Sequence, residues 1–178
     1  MAQEFRKRQE EEELIKRYEE NLKHNHGDFF DIESFEIIIG YYLDKSKYKR
    51  ALAAVEQAID QFPFSTELLT VKAQILTHLE RYDEALDLLE RSRNLHPHDL
   101  ETHLSIGSIL SLQGKYEEAI ALYEETLAFA EEEKDELYYN IGLAYQSMEK
   151  YDQAIDMYKK SIEENISHEG SLYELAFC

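Results

Sequence analysis

Histidine, cysteine, tyrosine and paired carboxylates are the side chains here with chemistry to offer, and their placement argues against each use in turn. The one cysteine of the 178 residues, Cys178, is the last. A thiol nucleophile needs a rigid pocket to hold its thiolate, and a chain end cannot build one. A lone cysteine cannot close an internal disulfide either, so a reducing compartment is expected. The seven histidines are His24, His26, His78, His96, His98, His103 and His168. His24-Asn25-His26 flanks a predicted helix end, where an imidazole suits the negative pole of the helix dipole. His96-Pro97-His98 falls in a loop, with His103 one turn into the next helix. Zinc needs three or four ligands converging at about 2.0–2.2 Å, and neither group reads as such a set, so no metal and no cofactor are expected. Acidic pairs are abundant, but no phosphate-cradling glycine loop or nucleophile elbow accompanies them. The chain is read as non-catalytic. Thirteen tyrosines could stack on bases. The formal charge of −19 would repel a nucleic acid or an anionic membrane surface, so neither is an expected partner.

The elements that carry these residues follow from self-similarity. Four segments align: Lys47-Tyr48-Lys49-Arg50-Ala51-Leu52, Arg81-Tyr82-Asp83-Glu84-Ala85-Leu86, Lys115-Tyr116-Glu117-Glu118-Ala119-Ile120 and Lys150-Tyr151-Asp152-Gln153-Ala154-Ile155. Their alanines lie 34, 34 and 35 residues apart. Twelve residues before them stand Ile39, Ala73, Gly107 and Gly142, and twelve after the first two stand Pro63 and Pro97. Asp31, Ser65 and Asp99 share the same period, and each has a side-chain oxygen suited to cap a helix. Within a unit, Leu104, Ile106, Ile109 and Leu110 fall near helical spacing, and Gly114 can end that helix in a left-handed conformation. A second helix carries Ala119, Ile120, Tyr123 and Leu127 on one stripe. Small residues at 107 and 119 let the two helices approach, with the recurrent tyrosines as plugs. One hairpin cannot bury its own face, so neighbouring hairpins must stack.

This arrangement resembles the tetratricopeptide repeat (TPR) family, whose unit is 34 residues of helix-turn-helix. The resemblance implies an all-α fold, a right-handed superhelical solenoid of antiparallel helix-turn-helix repeats. Residues 31–64, 65–98, 99–133 and 134–167 are the expected repeats, and 168–178 opens a fifth. Residues 1–30 supply a charged N-terminal helix and linker that cap the first repeat, through Leu14, Ile15, Tyr18 and Leu22. Where Ile39 replaces a small residue, looser or shifted packing is expected. Where the third repeat lacks its proline, through Ala130-Glu131-Glu132-Glu133-Lys134-Asp135, an extended helix is expected. The fifth repeat stops in mid-helix, which suggests a fragment of a longer repeat protein.

In this family the first helix of each hairpin lines the concave side. The resemblance therefore places a partner-binding stripe at Glu36; at Thr70, Gln74 and His78; at Leu104, Ser108 and Leu112; and at Tyr139, Leu143 and Gln146. No lysine, arginine or asparagine falls on that stripe, so a clamp for acidic chaperone tails is not expected. Apolar and neutral hydrogen-bonding groups inside an acidic rim suit an extended or helical peptide, with basic residues at its flank. The expected function is a non-catalytic protein-interaction scaffold in the cytoplasm. Two other occupants of the groove stay open, the chain's own N-terminal helix and a neighbouring copy. Leu172, Leu175 and Phe177 of the incomplete repeat would support weak self-association.

Overall fold

A computed structural model describes residues 2–24 and 28–177, with side chains from residue 9 onward. Cys178 and His26 lie outside the described residues. Ten helices and no strand are present among the described residues: α1 (Ala2–His24), α2 (Ile32–Asp44), α3 (Tyr48–Gln61), α4 (Thr66–His78), α5 (Tyr82–Leu95), α6 (Leu100–Leu112), α7 (Tyr116–Leu127), α8 (Lys134–Ser147), α9 (Tyr151–Glu164) and α10 (Glu169–Phe177). They form two compact units, Met1–Arg81 and Tyr82–Cys178, dividing between α4 and α5.

The predicted caps form. Asp31 accepts from Ser34 N–H at 2.8 Å, Ser65 from Leu68 N–H at 3.3 Å, and Asp99 from Thr102 N–H at 3.1 Å. These bonds satisfy donors that the first helical turn leaves open. The hydrogen bonds from Ser34 hold the Asp31 carboxyl below the usual carboxylate range.

Each turn within a hairpin is closed the same way. The N–H groups of Lys47, Arg81, Lys115 and Lys150 donate five residues back, to the carbonyls of Tyr42, Leu76, Leu110 and Tyr145. The residue before each has positive φ: Ser46, Glu80, Gly114 and Glu149, at 52°, 59°, 75° and 60°. This is the left-handed helix stop that glycine favours, yet only one of the four is glycine.

In the first unit, α1 packs on α2 through Tyr18, which is fully buried against Phe30, Phe35 and Tyr42 at ring distances of 5.6, 6.5 and 6.4 Å. Glu19 fixes the contact by accepting from Tyr42 Oη at 3.2 Å and from Arg50 at 2.7 Å. Ile15 is buried, whereas Leu22 is 51% exposed and leaves the predicted stripe. Ile39 and Val55 are both buried. The larger residue at the first place is accommodated in the core, and the residue sixteen positions on is smaller than the tyrosines at that place in the third and fourth repeats.

In the second unit the expected close approaches occur. A Cβ on Gly107 would enter the ring of Tyr123, and one on Gly142 the ring of Tyr158. Ala119, Ile120, Tyr123, Ala130, Leu137, Ile141 and Ala144 form one buried core cluster. The extended helix expected after α7 does not form. The chain instead leaves α7 at Leu127 and enters α8 through Glu133, at φ 57°. The extra residue is absorbed in that loop.

Candidate functional site

One face of α8 frames the site. Asn140, Leu143, Ala144 and Ser147 are spaced i, i+3, i+4 and i+7, so they share one side of that helix. Ser108, Ser111 and Leu112 are spaced i, i+3 and i+4 on α6. Together with Tyr116 and Tyr123 of α7, these seven residues line an open cleft of about 480 Å³. Leu112 is 59% exposed and Leu143 half-buried, so apolar surface is offered to a ligand. Hydroxyls surround it. Ser108 Oγ lies 3.5 Å from Tyr123 Oη, and burial pushes the Tyr123 phenol up to about 12. It therefore stays neutral at any ordinary pH. The Asn140 amide nitrogen donates to the Glu136 carbonyl at 2.8 Å and to its carboxylate at 3.2 Å, which leaves the amide oxygen as an acceptor. The cleft lining holds no charged group.

Three predicted stripe residues, Ser108, Leu112 and Leu143, meet in this cleft. Leu104 does not; it is half-buried against the core of the second unit. Tyr139 is not a free groove residue. Its ring contacts Tyr158 and His168 at 6.0 and 4.9 Å and packs on Gly170, where a Cβ would stand 2.9 Å away. It supports α10. Gln146 is held at both ends, donating to Glu174 at 3.0 Å and accepting from Tyr158 Oη.

The first unit holds the other four. Glu36 and Gln74 are exposed on α2 and α4. Thr70 is 6% exposed, contrary to the expected stripe. Its hydroxyl donates to the Thr66 carbonyl at 3.2 Å, and that bond lets a threonine sit in a core. His78 is exposed but stacked on Tyr48, with rings 4.6 Å apart and 10° from parallel.

Three further histidines have structural partners. His103 is buried, its Nδ1 donates to the Asp99 carbonyl at 2.9 Å, and its ring lies 5.3 Å from Phe129. His98 contacts the same ring at 4.8 Å. His168 caps α10: Ser171 N–H donates to its Nδ1 at 3.0 Å. Its Nε2 must then carry the proton, which it donates to Glu136 at 3.1 Å.

The partner-binding stripe read from the sequence leaves out Asn140, Ala144, Ser147, Tyr116 and Tyr123, whereas Ser111 shares the helical spacing of Ser108 and Leu112 on it. The helical spacing of the first three around Leu143 is a usable signal. The recurrence of Tyr116 and Tyr123 with the repeat marks them as core plugs; Tyr123 is buried and Tyr116 half-buried, and both also line the cleft.

A family model for the tetratricopeptide repeat matches residues 65–132 and, overlapping, 99–163. A model for anaphase-promoting complex, cyclosome, subunit 3 matches residues 29–92. BBSome complex member BBS4 of Bos taurus is 28% identical over 120 residues, covering 67% of this chain and 23% of that protein. Intraflagellar transport protein 70A of Xenopus tropicalis is 27% identical over 143 residues, covering 80% and 21%. The chain spans 9% to 30% of the length of the curated relatives it matches. Among solved structures, YrrB, a TPR protein with an unusual peptide-binding site, aligns with a TM-score of 0.70 at 22% identity, over 97% of this chain and 87% of that one. The thermophilic TPR protein TTC0263 of Thermus thermophilus aligns with 0.72 at 21% identity, over 92% and 87%. These likenesses carry the fold.

Proposed function

The chain belongs to the tetratricopeptide repeat family, and from that premise we propose that it is a non-catalytic interaction scaffold whose α6–α8 cleft holds a peptide segment of a partner protein. The observation that carries this reading is a neutral, hydroxyl-lined cleft with one exposed and one half-buried leucine on a chain of charge −19. An apolar side chain of the peptide lies against Leu112, Leu143 and Ala144. Its backbone amides find Ser108, Ser111, Ser147 and the Asn140 oxygen. Such pairing replaces the water that a peptide backbone loses on binding. The net charge of −19 favours a peptide with flanking lysine or arginine and speeds its arrival. Several relatives are named as members of protein assemblies, the BBSome and the anaphase-promoting complex, which supports a binding role.

The test is a peptide library displayed on phage and selected on the protein. Peptides with an apolar anchor and a basic flank should be recovered. They should lose at least about tenfold in affinity to a Leu112→Glu/Leu143→Glu variant, since a carboxylate in each apolar contact leaves a desolvated charge. Equal binding by the variant, with an unchanged thermal midpoint, would remove the cleft from the function. Self-association is the second reading. It is favoured by the exposed Leu172, Tyr173 and Phe177 on α10, at 46%, 63% and 71%.

A further inference from the structure

The first turn of α3 breaks a charge pattern that the other repeats keep. After the recurrent tyrosine that opens the second helix of each hairpin come Asp83-Glu84 in α5, Glu117-Glu118 in α7 and Asp152 in α9. Acids there favour the positive end of the helix dipole. In α3 the same places hold Lys49-Arg50, and the first turn has no acid. Lys45 and Lys47 precede them, so four cations stand in six residues of a chain of charge −19. The arrangement opposes the α3 dipole, and helix formation gives no reason for it.

Local contacts account for two of the four. Arg50 binds Glu19 of α1 at 2.7 Å. Lys45 Nζ sits 3.9 Å from the centroid of the Tyr41 ring. Lys47 and Lys49 are exposed and make no ion pair among the described residues. The acids nearby are Asp44, next in sequence to Lys45, Glu80, beside Leu79, and Glu19, already paired with Arg50. Two clefts open at this turn and share Lys49 and Arg50. One, about 460 Å³, is lined by Ser46, Lys47, Tyr48 and Leu79 as well. The other, about 280 Å³, adds Lys23, Leu22, Tyr42 and Ala53, with Glu19 its one acid. The surface therefore joins unpaired ammonium groups to aromatic and aliphatic area.

We propose that this turn of the first unit is a docking surface for an acidic segment of a partner protein, with its carboxylates on Lys47 and Lys49 and an apolar side chain against Tyr48 and Leu79. Charge complementarity names the occupant. A short acidic peptide covers the cationic turn alone. A nucleic acid or a membrane would extend past it into the field of the remaining acids, beyond the roughly 8 Å over which salt screens charges. The surface shares no residue with the α6–α8 cleft, so the two readings stand or fall separately.

The experiment is fluorescence anisotropy with a labelled peptide of alternating glutamate pairs and single leucines, titrated with the full chain. The wild type should bind it saturably. A Lys47→Gln/Lys49→Glu variant should bind about tenfold more weakly, and raising salt from about 50 to about 300 mM should weaken the wild type by a comparable factor. That variant acquires an acid in the first turn of α3, so its thermal midpoint should hold or rise, which separates lost binding from lost folding. The Leu112→Glu/Leu143→Glu variant should bind this peptide as the wild type does. Absence of saturable binding, equal binding by the charge variant, or tighter binding of a single-stranded oligonucleotide of equal charge would each overturn the proposal. So would displacement of the peptide by dimerisation of the chain, seen by sedimentation, since the occupant would then be the Glu10–Glu13 run of a second copy.

Discussion

At Gly107 a hydrogen stands where any other residue would push a methyl group into the ring of Tyr123. The same holds at Gly142 and Tyr158, whereas a Cβ on Gly40 meets nothing within 4 Å. Three helical glycines thus have two meanings. Alanine is the better helix former by about 1 kcal/mol, and overpacking a buried ring costs about 1–3 kcal/mol. Gly40→Ala should therefore stabilise the protein by up to about 1 kcal/mol, while Gly107→Ala should destabilise it by roughly 1–2 kcal/mol. Urea unfolding of the two variants checks the sign of each. A loss at both positions would mean that Gly40 also serves a close contact.

The turns within the hairpins show a conformation recurring where the residue type does not. Ser46, Glu80, Gly114 and Glu149 all have positive φ, though nothing in their side chains is shared. A left-handed residue with a Cβ costs about 1–2 kcal/mol, against about 0.5–1 kcal/mol for the extra entropy that glycine loses on folding. Glu149→Gly should thus raise the stability of the second unit by about 0.5–1 kcal/mol, measured by thermal melting. The hydrogen bonds that close each turn are the reason three such residues tolerate the strain. A second recurring device joins one hairpin to the first helix of the next. Buried hydroxyls pair at Ser92 and Thr102, 3.3 Å apart, and at Ser161 and Ser171, 2.7 Å apart.

On the scale of the whole molecule, charge and exposed apolar surface oppose each other. A net charge of −19 keeps copies apart at low ionic strength, and the Debye length shrinks from about 10 Å at 0.1 M to about 3 Å at 1 M salt. Contact through Leu172, Tyr173 and Phe177 should therefore emerge only in salt. Sedimentation velocity should find monomers in about 50 mM salt and growing dimer in about 1 M salt. A Leu172→Glu/Phe177→Glu variant should stay monomeric in both. Monomers throughout for the wild type would reject self-association through α10.

The period of 34 residues, the three caps and the close helix approach at Gly107 were legible in the sequence, because each depends on neighbours at fixed spacing along the chain; that the rings of Tyr123 and Tyr158 fill the space at Gly107 and Gly142 came from the structure. Ser108, Leu112 and Leu143, which the family resemblance puts on the concave stripe, line the α6–α8 cleft. What the period cannot tell is which side chain the next helix covers. Thr70 is buried by packing its helix accepts, since its hydroxyl is satisfied at home. Tyr139 falls on the predicted stripe, but Gly170, 31 residues on, leaves a gap that its ring fills. Asn140 enters the cleft once the α6, α7 and α8 faces meet. Helical periodicity fixes the direction of a side chain from its own helix. Exposure is settled by the size of residues on other helices, and only the tertiary structure brings those into contact.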